Sequence, residues 1–324
     1  MKTYRFGIVG YGNLGRGVEL AVQQNPDMEL KAIFTRRNPQ SINAKYPAYS
    51  IDELHKFRGL LDVVILCGGS AQDLPEQIEK VACYFNTVDS FDTHASIPRY
   101  YEKVDAINRA HGTLSLISAG WDPGLFSMLR LLGLTLMPTG KGYTFWGKGV
   151  SQGHSDAIRR VPGVKNGVQY TIPKDDALQR VRDGEEPTFA ATDKHTRVCF
   201  VVAEENADRQ EIEKAIKGMP HYFDGYETIV HFVDEKTLLE EHSKMPHGGV
   251  VVTTGKSANG NRHMMECSLT LESNPEFTSG VLLAYARAVA RMAAEGHRGC
   301  KTVFDIPLGY LSPQDGAVLR KELL

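Results

Sequence analysis

The sequence predicts an α/β protein in two parts. A parallel sheet with crossover helices fills the first third, and an α+β part with a mostly antiparallel or mixed sheet follows. Three observations predict this. The chain opens with a short apolar run, YRFGIVG, that ends in a glycine turn and passes into the helical spacing of NLGRGVELAVQQN. Strand-like and helix-like runs then alternate to about residue 120, the pattern of parallel strands joined by right-handed crossovers. Near residue 140 the period changes, and several runs alternate every two residues.

Each element has a local reason. In the first helical run Leu14, Val18, Ala21 and Val22 share one face. MELKAIF is the next strand. DVVILCGG is apolar and β-branched, as a strand covered on both faces should be. DLPEQIEKVACYF reads as a helix with Asp73 as its cap and Pro75 in its first turn. NTVDSFD is a strand, IPRYYEKVDAINRAHG a helix stopped by Gly112, and TLSLISAG another strand with a helix from Pro123 behind it. Beyond residue 140, KGYTFWGKGV, GVQYTIPK, HTRVCFVVA, ETIVHFV, GGVVVTTGKS and RHMMECSLTLES read as strands. A long apolar helix over about 277–295 follows, and the less regular tail through VFDIPLGYLSP reads as a return to the first part.

Composition narrows the function. The net charge is −2 with no basic block, so neither nucleic acid nor an anionic membrane is expected as a partner. The five cysteines show no CxxC or CxxH spacing, which argues against a zinc site or redox pair and for reduced thiols. No metal is expected. The first strand begins almost at the first residue, leaving no room for a signal peptide. The most apolar helix, 125–137, is short for a bilayer and carries Arg130. A cytoplasmic location is the expectation.

Gly10-Tyr11-Gly12-Asn13-Leu14-Gly15 is a GxGxxG between a strand and a helix. Gly10 permits the tight turn, Gly12 lets a pyrophosphate approach the backbone, and Gly15 lets helix and strand pack closely. The helix N-terminus adds unpaired N–H groups and the positive end of its dipole. The context predicts a Rossmann-type dinucleotide-binding unit. About 20 residues past such glycines an acid usually holds the adenosine ribose. Here FTRR places Thr35, Arg36 and Arg37 there. Guanidinium groups reverse the sign and offer planar forks to a 2′-phosphate, so NADP(H) is expected over NAD(H). In CGGS, Gly68, Gly69 and Ser70 are small enough for a coenzyme to pass, although an ordinary strand-to-helix turn fits equally well.

Ligands of open α/β sheets lie beyond the carboxyl ends of the strands. Two such ends carry acids, Asp92 in DSFDTH and Asp122 in SAGWDPG. A carboxylate pair near a nicotinamide suits an amino substrate, binding its ammonium and accepting its proton. Asp92 also suits an Asx turn, and Asp122, ahead of Pro123, a helix N-cap. Trp121 and Trp146, the only tryptophans, suit either a pocket wall or the core.

GIVGYGNLGRGVE, FTRR, CGGSAQDLPEQ, NTVDSFDTH, SAGWDPGLFS and WGKGVSQGHSDAIRR closely resemble the meso-diaminopimelate dehydrogenases, and so do VQYTIPK, HTRVCFVV, MPHGG and SNPEFTSGVLLAYARA. The likeness covers nearly the whole chain. It implies NADP-dependent oxidative deamination at the D-centre of meso-2,6-diaminopimelate, giving L-2-amino-6-oxopimelate, ammonium and NADPH. It implies a homodimer with a dinucleotide-binding domain over 1–120, completed by about 275–324, and a substrate and dimerisation region over 121–274. By the same likeness Tyr11, Gly12, Asn13 and Leu14 lie at the pyrophosphate, and Thr35, Arg36 and Arg37 at the 2′-phosphate. Gly69, Ser70, Ala71 and Gln72 cover the middle of the coenzyme. Asp92 and Asp122 border the reacting centre, either being the proton acceptor, with Trp121 and Trp146 as walls. Gln152, Gly153 and Asp156 line the substrate cavity, while Thr171, Arg197, His247 and Asn274 grip the distal end of the diacid. Read locally, Arg197 on its alternating strand also suits a solvent-facing charge, and His247 a turn cap. Homoserine dehydrogenases and dihydrodipicolinate reductases, the alternative NADP reductases, rely on lysines or a His-His motif that this sequence lacks. An NADP(H)-sensing binding protein is the non-enzyme alternative.

Overall fold

The computed structural model describes residues 2–70, 72–220 and 222–324. The chain begins with β1 (Tyr4–Val9), α1 (Asn13–Ala21), β2 (Met28–Thr35), β3 (Ala48–Ser50), β4 (Val63–Leu66), α2 (Leu74–Val81), β5 (Thr87–Asp89), α3 (Ile97–His111), β6 (Leu114–Leu116) and α4 (Leu125–Leu136). It continues through β7 (Lys141–Trp146), β8 (Gly149–Val150), α5 (Gln152–Arg159), β9 (Val164–Pro173), α6 (Asp175–Arg182), α7 (Ala191–Lys194) and β10 (His195–Ala203). Then come α8 (Arg209–Lys217), β11 (Thr228–Phe232), α9 (Glu235–His242), β12 (His247–Lys256), β13 (Arg262–Leu271), α10 (Asn274–Ala294), β14 (Gly299–Lys301) and α11 (Gly316–Leu323). Two compact units result. One holds residues up to Met128 together with Pro275–Leu324, the other Leu129–Asn274.

Among the described residues the first unit forms a seven-stranded parallel sheet in the order β14-β6-β5-β4-β1-β2-β3. Its strands are apolar on both faces because helices cover both. Ile8, Ile33 and Ile65 pack with Val18 of α1 and with Leu282, Ala286 and Val289 of α10. Phe34 and Leu66 pack with Leu74 and Ile78 of α2 and Val104 of α3. From β1 the chain first moves toward β2 and β3, then returns to β4 on the other side. The switch point, where such sheets leave a crevice at their carboxyl ends, therefore lies between β1 and β4.

The second unit holds a mixed sheet, β11-β10-β9-β8, in which β10 and β11 run parallel and the other neighbours antiparallel. An antiparallel sheet, β13-β12-β7, stands beside it in the same unit. Ile158, Cys199, Val201, Ile216 and Phe223 form the core of the first, and Phe145, Val181 and Val252 part of the core of the second. No helix among the described residues is long and apolar enough to cross a membrane.

Four details depart from the sequence reading. KGYTFWGKGV is two strands, because the chain passes Gly147 at φ +111 with no room for a side chain: a Cβ would lie 2.2 Å from the Thr171 carbonyl oxygen. The helix expected from Pro123 begins at Leu125, since residues 120–124 close a tight turn bridged between Gly120 and Gly124. The long apolar helix starts earlier than expected, at Asn274, with Pro275 in its first turn. The three-residue strands β3 and β14 carried no periodic signal.

The returning segment is anchored by a buried ion pair. Arg287 of α10 and Asp27 are each 1% exposed. Nε donates to Asp27 Oδ2 at 2.5 Å and Nη2 to Oδ1 at 2.7 Å, with Asn25 Oδ1 and the Leu311 carbonyl taking further bonds at 2.7 Å each. Removing one member of such a pair strands the other charge. Arg287→Met should therefore lose about 3–5 kcal/mol of stability, read as a lower urea midpoint. A midpoint equal to wild type would show that the apolar face of α10 suffices.

Candidate active site

Val9 ends β1 and Asn13 starts α1, so Gly10, Tyr11 and Gly12 make the turn between them. Gly10 sits at φ +96, and a Cβ there would lie 3.1 Å from the Cys67 carbonyl carbon beyond β4. A Cβ on Gly12 would meet nothing within 4 Å, so the turn is open on that side. At Gly15 it would fall 2.2 Å from the Gly10 carbonyl oxygen, so the helix rests directly on the turn. α1 has no side-chain cap at Gly12 and no acid in its first turn. Its N-terminal amides and dipole suit an anion. The Tyr11 side chain turns inward instead. Its hydroxyl donates to Glu19 Oε2 at 2.5 Å, and burial, aided by that carboxylate, pushes the phenol up to about 12. Tyr11 thus offers the turn its main chain.

The arginines after β2 are exposed and held apart. Arg36 Nη2 pairs with Asp73 Oδ1 at 2.6 Å, and Asp73 Oδ2 accepts the Gly69 N–H at 2.9 Å. Asp73 stands at the N-cap position of α2 but makes no side-chain cap, contrary to the sequence reading, because the guanidinium and the Gly69 amide take its oxygens. The Arg37 guanidinium donates to the Tyr11 carbonyl, and its backbone N–H to Thr35 Oγ1 at 3.1 Å. A cavity of about 270 Å³ lies beside Arg36, walled by Asp73, Gln77, Tyr84, Ile51 and His55. Together, an open turn, an uncapped helix start, two cationic forks and this cavity fit a phosphorylated dinucleotide. Gln72 is exposed, and Ala71 lies outside the described residues.

At the carboxyl ends of β4 and β5, Ser70 Oγ accepts the Asp92 N–H at 2.8 Å. Asp92 is exposed and Asp122 half-buried. The Asx turn after β5 is made by Asp89, which accepts the Phe91 N–H, and not by Asp92. Asp122 lies three residues ahead of the first residue of α4. Trp121 is buried edge-on to Phe126, 5.2 Å between centroids.

In the second unit Thr171 and Arg197 are register partners on β9 and β10. Arg197 is 8% exposed, so it is no solvent-facing charge. Its Nη1 donates to Thr171 Oγ1 at 2.5 Å, the guanidinium lies 4.3 Å from the Tyr226 ring centre, and Nε is buried without a partner. Burial lowers its pKa, and no carboxylate stands among its partners. A buried cation without a counter-charge is costly, and the arrangement suits a carboxylate arriving with a ligand.

Residues 245–247 draw in the remaining side chains. Gln152 Nε2 lies 3.2 Å from Met245 Sδ, and the Met245 carbonyl accepts the Asn274 N–H at 2.9 Å. The Pro246 carbonyl accepts from Val150 at 2.8 Å. His247 packs on Gly149, where a Cβ would lie 2.4 Å from the ring, and Gly149 is the register partner of Thr171. His247 Nδ1 accepts the Gly248 N–H at 2.8 Å. Gly153 faces open space, while Asp156 is exposed and paired with Arg159. No group of three or more His, Cys, Asp or Glu among the described residues could hold a metal ion.

Comparisons with known proteins agree over the whole chain. The family model described as "Diaminopimelic acid dehydrogenase C-terminal domain" matches residues 120–273. The meso-diaminopimelate D-dehydrogenase of Ureibacillus thermosphaericus is 59% identical over all of both chains. This chain belongs to the meso-diaminopimelate D-dehydrogenase family. A C. glutamicum diaminopimelate dehydrogenase solved in complex with diaminopimelate superimposes with a TM-score of 0.94, at 44% identity and full coverage of both chains. An engineered D-amino acid dehydrogenase bound to NADP+ gives 0.89 at 42% identity, again over all of both chains. The Rossmann-type sheet and mixed-sheet α+β part expected from the sequence are therefore the architecture of this family.

Two histidines escaped the sequence reading. His195 lies on the same face of β10 as Arg197. Its Nε2 accepts the Trp146 backbone N–H at 2.8 Å, and its ring stacks on the indole with centroids 5.3 Å apart. His154, inside SQGHSD, has Nδ1 2.7 Å from Ser151 Oγ and stands edge-on to Tyr222 and Phe223. Burial pushes both imidazoles down to about 4, with the Arg197 charge as a lesser cause at His154 and the charges of Lys194 and Arg197 at His195. The two-residue spacing of His195 from Arg197 was the one signal available for it. Both rings stay neutral in the folded chain while the unfolded chain binds protons near 6.5. Their contribution is therefore whole above pH 6.5 and is lost as pH falls toward 4. His195→Gln, whose amide oxygen still accepts from Trp146, should make the urea midpoint fall less steeply than wild type over that window. Parallel curves would contradict this.

Proposed function

We propose that the chain catalyses NADP-dependent oxidative deamination of the D-centre of meso-2,6-diaminopimelate, yielding L-2-amino-6-oxopimelate, ammonium and NADPH. The reaction is reversible and serves lysine and peptidoglycan precursor synthesis. The observation that carries this reading is Arg197, a buried guanidinium without a counter-charge, in a family whose C. glutamicum member is solved with diaminopimelate.

The pyrophosphate is assigned to the main chain of Tyr11, Gly12, Asn13 and Leu14 at the start of α1, whose uncapped N-terminus supports it. The 2′-phosphate is assigned to Thr35, Arg36 and Arg37, the adenine to the cavity beside Arg36, and the middle of the coenzyme to Gly69, Ser70, Ala71 and Gln72. The bound coenzyme supplies the hydride acceptor. The chain supplies position and proton transfer. The D-ammonium must lose a proton before its carbon gives up hydride, since the iminium needs the nitrogen lone pair, and Asp92 or Asp122 accepts that proton; water then adds to the iminium and ammonia leaves, giving the 6-oxo group. Arg197, Thr171, His247 and Asn274 hold the distal L-centre, with Gln152, Gly153 and Asp156 along the cavity and Trp121 and Trp146 as walls. Locking the distal end presents a single hydrogen for transfer, which makes the reaction D-selective.

The chain is proposed to work in the cytoplasm as a homodimer, a state that sedimentation reads directly. Leu131, Leu132 and Leu136 of α4 and Met264 of the edge strand β13 are 49%, 50%, 67% and 50% exposed, which supports self-association in the second unit.

The deciding assay is NADP+ reduction with meso-diaminopimelate, its L,L isomer and simple D-amino acids side by side. The meso isomer should react far faster than L,L. Comparable rates would refute D-selectivity, and NADPH binding with no turnover would leave a coenzyme sensor. Arg197→Met should cut kcat/KM for the meso isomer by about two orders of magnitude with KM for NADP+ near wild type. Replacing Arg36 and Arg37 by serine should lower the preference for NADP+ over NAD+ by about tenfold per arginine. An unchanged ratio of efficiencies would sink the 2′-phosphate assignment.

A further inference from the structure

The first unit buries a carboxylate that the mechanism above does not use. Asp89, the last residue of β5, is 0% exposed. Its Oδ1 accepts the Phe91 N–H at 3.0 Å and the Ser118 N–H at 3.1 Å, and Oδ2 accepts the Tyr100 hydroxyl at 2.8 Å. Its own carbonyl accepts the Ala119 N–H at 2.9 Å. One residue therefore joins the segment after β5 to the segment after β6.

We infer that Asp89 is a positioning residue for the reaction, its buried carboxylate setting the places of both Asp92 and Asp122. On the β5 side, Asp92 directly follows Phe91, so the bond to the Phe91 amide fixes the peptide that leads into it. Phe91 is clamped as well, stacked on Tyr100 with centroids 4.1 Å apart and planes at 18°. On the β6 side, Ser118 sits at φ +58, a left-handed conformation that a serine holds only when its surroundings impose it. The bonds from Ser118 and Ala119 to Asp89 impose it and redirect the chain out of β6. Three residues on from Ala119 comes Asp122, in a turn closed by the Leu125 N–H on the Gly120 carbonyl at 2.9 Å and the Phe126 N–H on that of Trp121 at 2.8 Å.

As an ionised carboxylate Asp89 accepts all three bonds: Oδ1 takes the two amides and Oδ2 the Tyr100 hydroxyl. Asparagine has the same shape, but its neutral oxygen accepts the two amides more weakly, and its NH2 forces the Tyr100 hydroxyl to accept, leaving that hydroxyl's own hydrogen without its partner. The strand ends would shift by tenths of an ångström without a cavity being left, and displacements of that order matter to proton and hydride transfer. Coenzyme contacts assigned to the glycine turn and to Arg36 and Arg37 would stay in place.

The inference rests on the reading that Asp92 and Asp122 border the reacting centre, so the experiment measures both. Asp89→Asn, Tyr100→Phe, Asp92→Asn and Asp122→Asn are compared by steady-state kinetics with the meso isomer and by NADP+ titration of protein fluorescence. Asp89→Asn should lower kcat by about ten- to a hundredfold while the NADP+ dissociation constant stays within about threefold. Tyr100→Phe, which keeps both amide bonds to Oδ1, should lower kcat by about threefold. A kcat for Asp89→Asn within about twofold of wild type, with Asp92→Asn or Asp122→Asn strongly impaired, overturns the inference alone. Full activity in both Asp92→Asn and Asp122→Asn overturns the site reading and the inference with it. If Asp89→Asn does not fold, Tyr100→Phe decides, and a wild-type kcat there is the overturning result.

Discussion

The guanidinium of Arg287, closed off from water against the Asp27 carboxylate, holds the first unit together across the whole length of the chain. Arg287 and Asp27 are 260 residues apart in sequence. The second unit is inserted between them, so the parallel sheet is complete only when α10 and β14 come back to it. The apolar face of α10 drives that return, but apolar contact has no direction. The paired bonds from Nε and Nη2 to the two oxygens of Asp27, with Asn25 and Leu311 filling the remaining positions, fix how the helix lies. That places α10 against α1, close enough that Gly17 has no room for a side chain beside Ser279.

A second buried arginine makes the opposite case. Arg197 has a hydroxyl and an aromatic face around it but no carboxylate. The chain could lower that cost with an acid on a neighbouring strand, as it does for Arg287, yet the neighbours are Thr171 and two histidines that burial keeps neutral. Neutral imidazoles add no further positive charge beside the guanidinium at pH 7. The uncompensated charge is tolerable if its partner is the substrate, as proposed above.

The carboxyl edge of the first sheet follows a common rule of a different kind. There, short polar side chains accept backbone amides from their own loop or the next: Asp73 from Gly69, Ser70 from Asp92, Asp89 from Phe91 and Ser118. Loops that leave parallel strands have no ladder to hold them, and these acceptors take its place. The acids assigned to chemistry are thereby carried on segments tied at their bases, with Asp92 itself exposed.

By itself the sequence determined whatever is local. The glycine turn, the alternation of apolar strands with helices, the stop at Gly112 and the change of period near residue 140 each depend on a few neighbouring residues, and each was legible. So was the reversal of charge at Arg36 and Arg37, because its distance from the glycines is set by one strand–helix–strand unit. Tertiary structure decided which side chains meet. Asp73 reads as a cap until Arg36 and Gly69 claim its oxygens. KGYTFWGKGV reads as one strand until Gly147 must pass the Thr171 carbonyl. Read locally, Arg197 also suits a surface charge until β9 and β11 flank it, and His195 is silent until Trp146 lies across it. Periodicity records which face of an element is apolar, whereas a polar side chain takes its role from partners that only the folded chain brings within 3 Å.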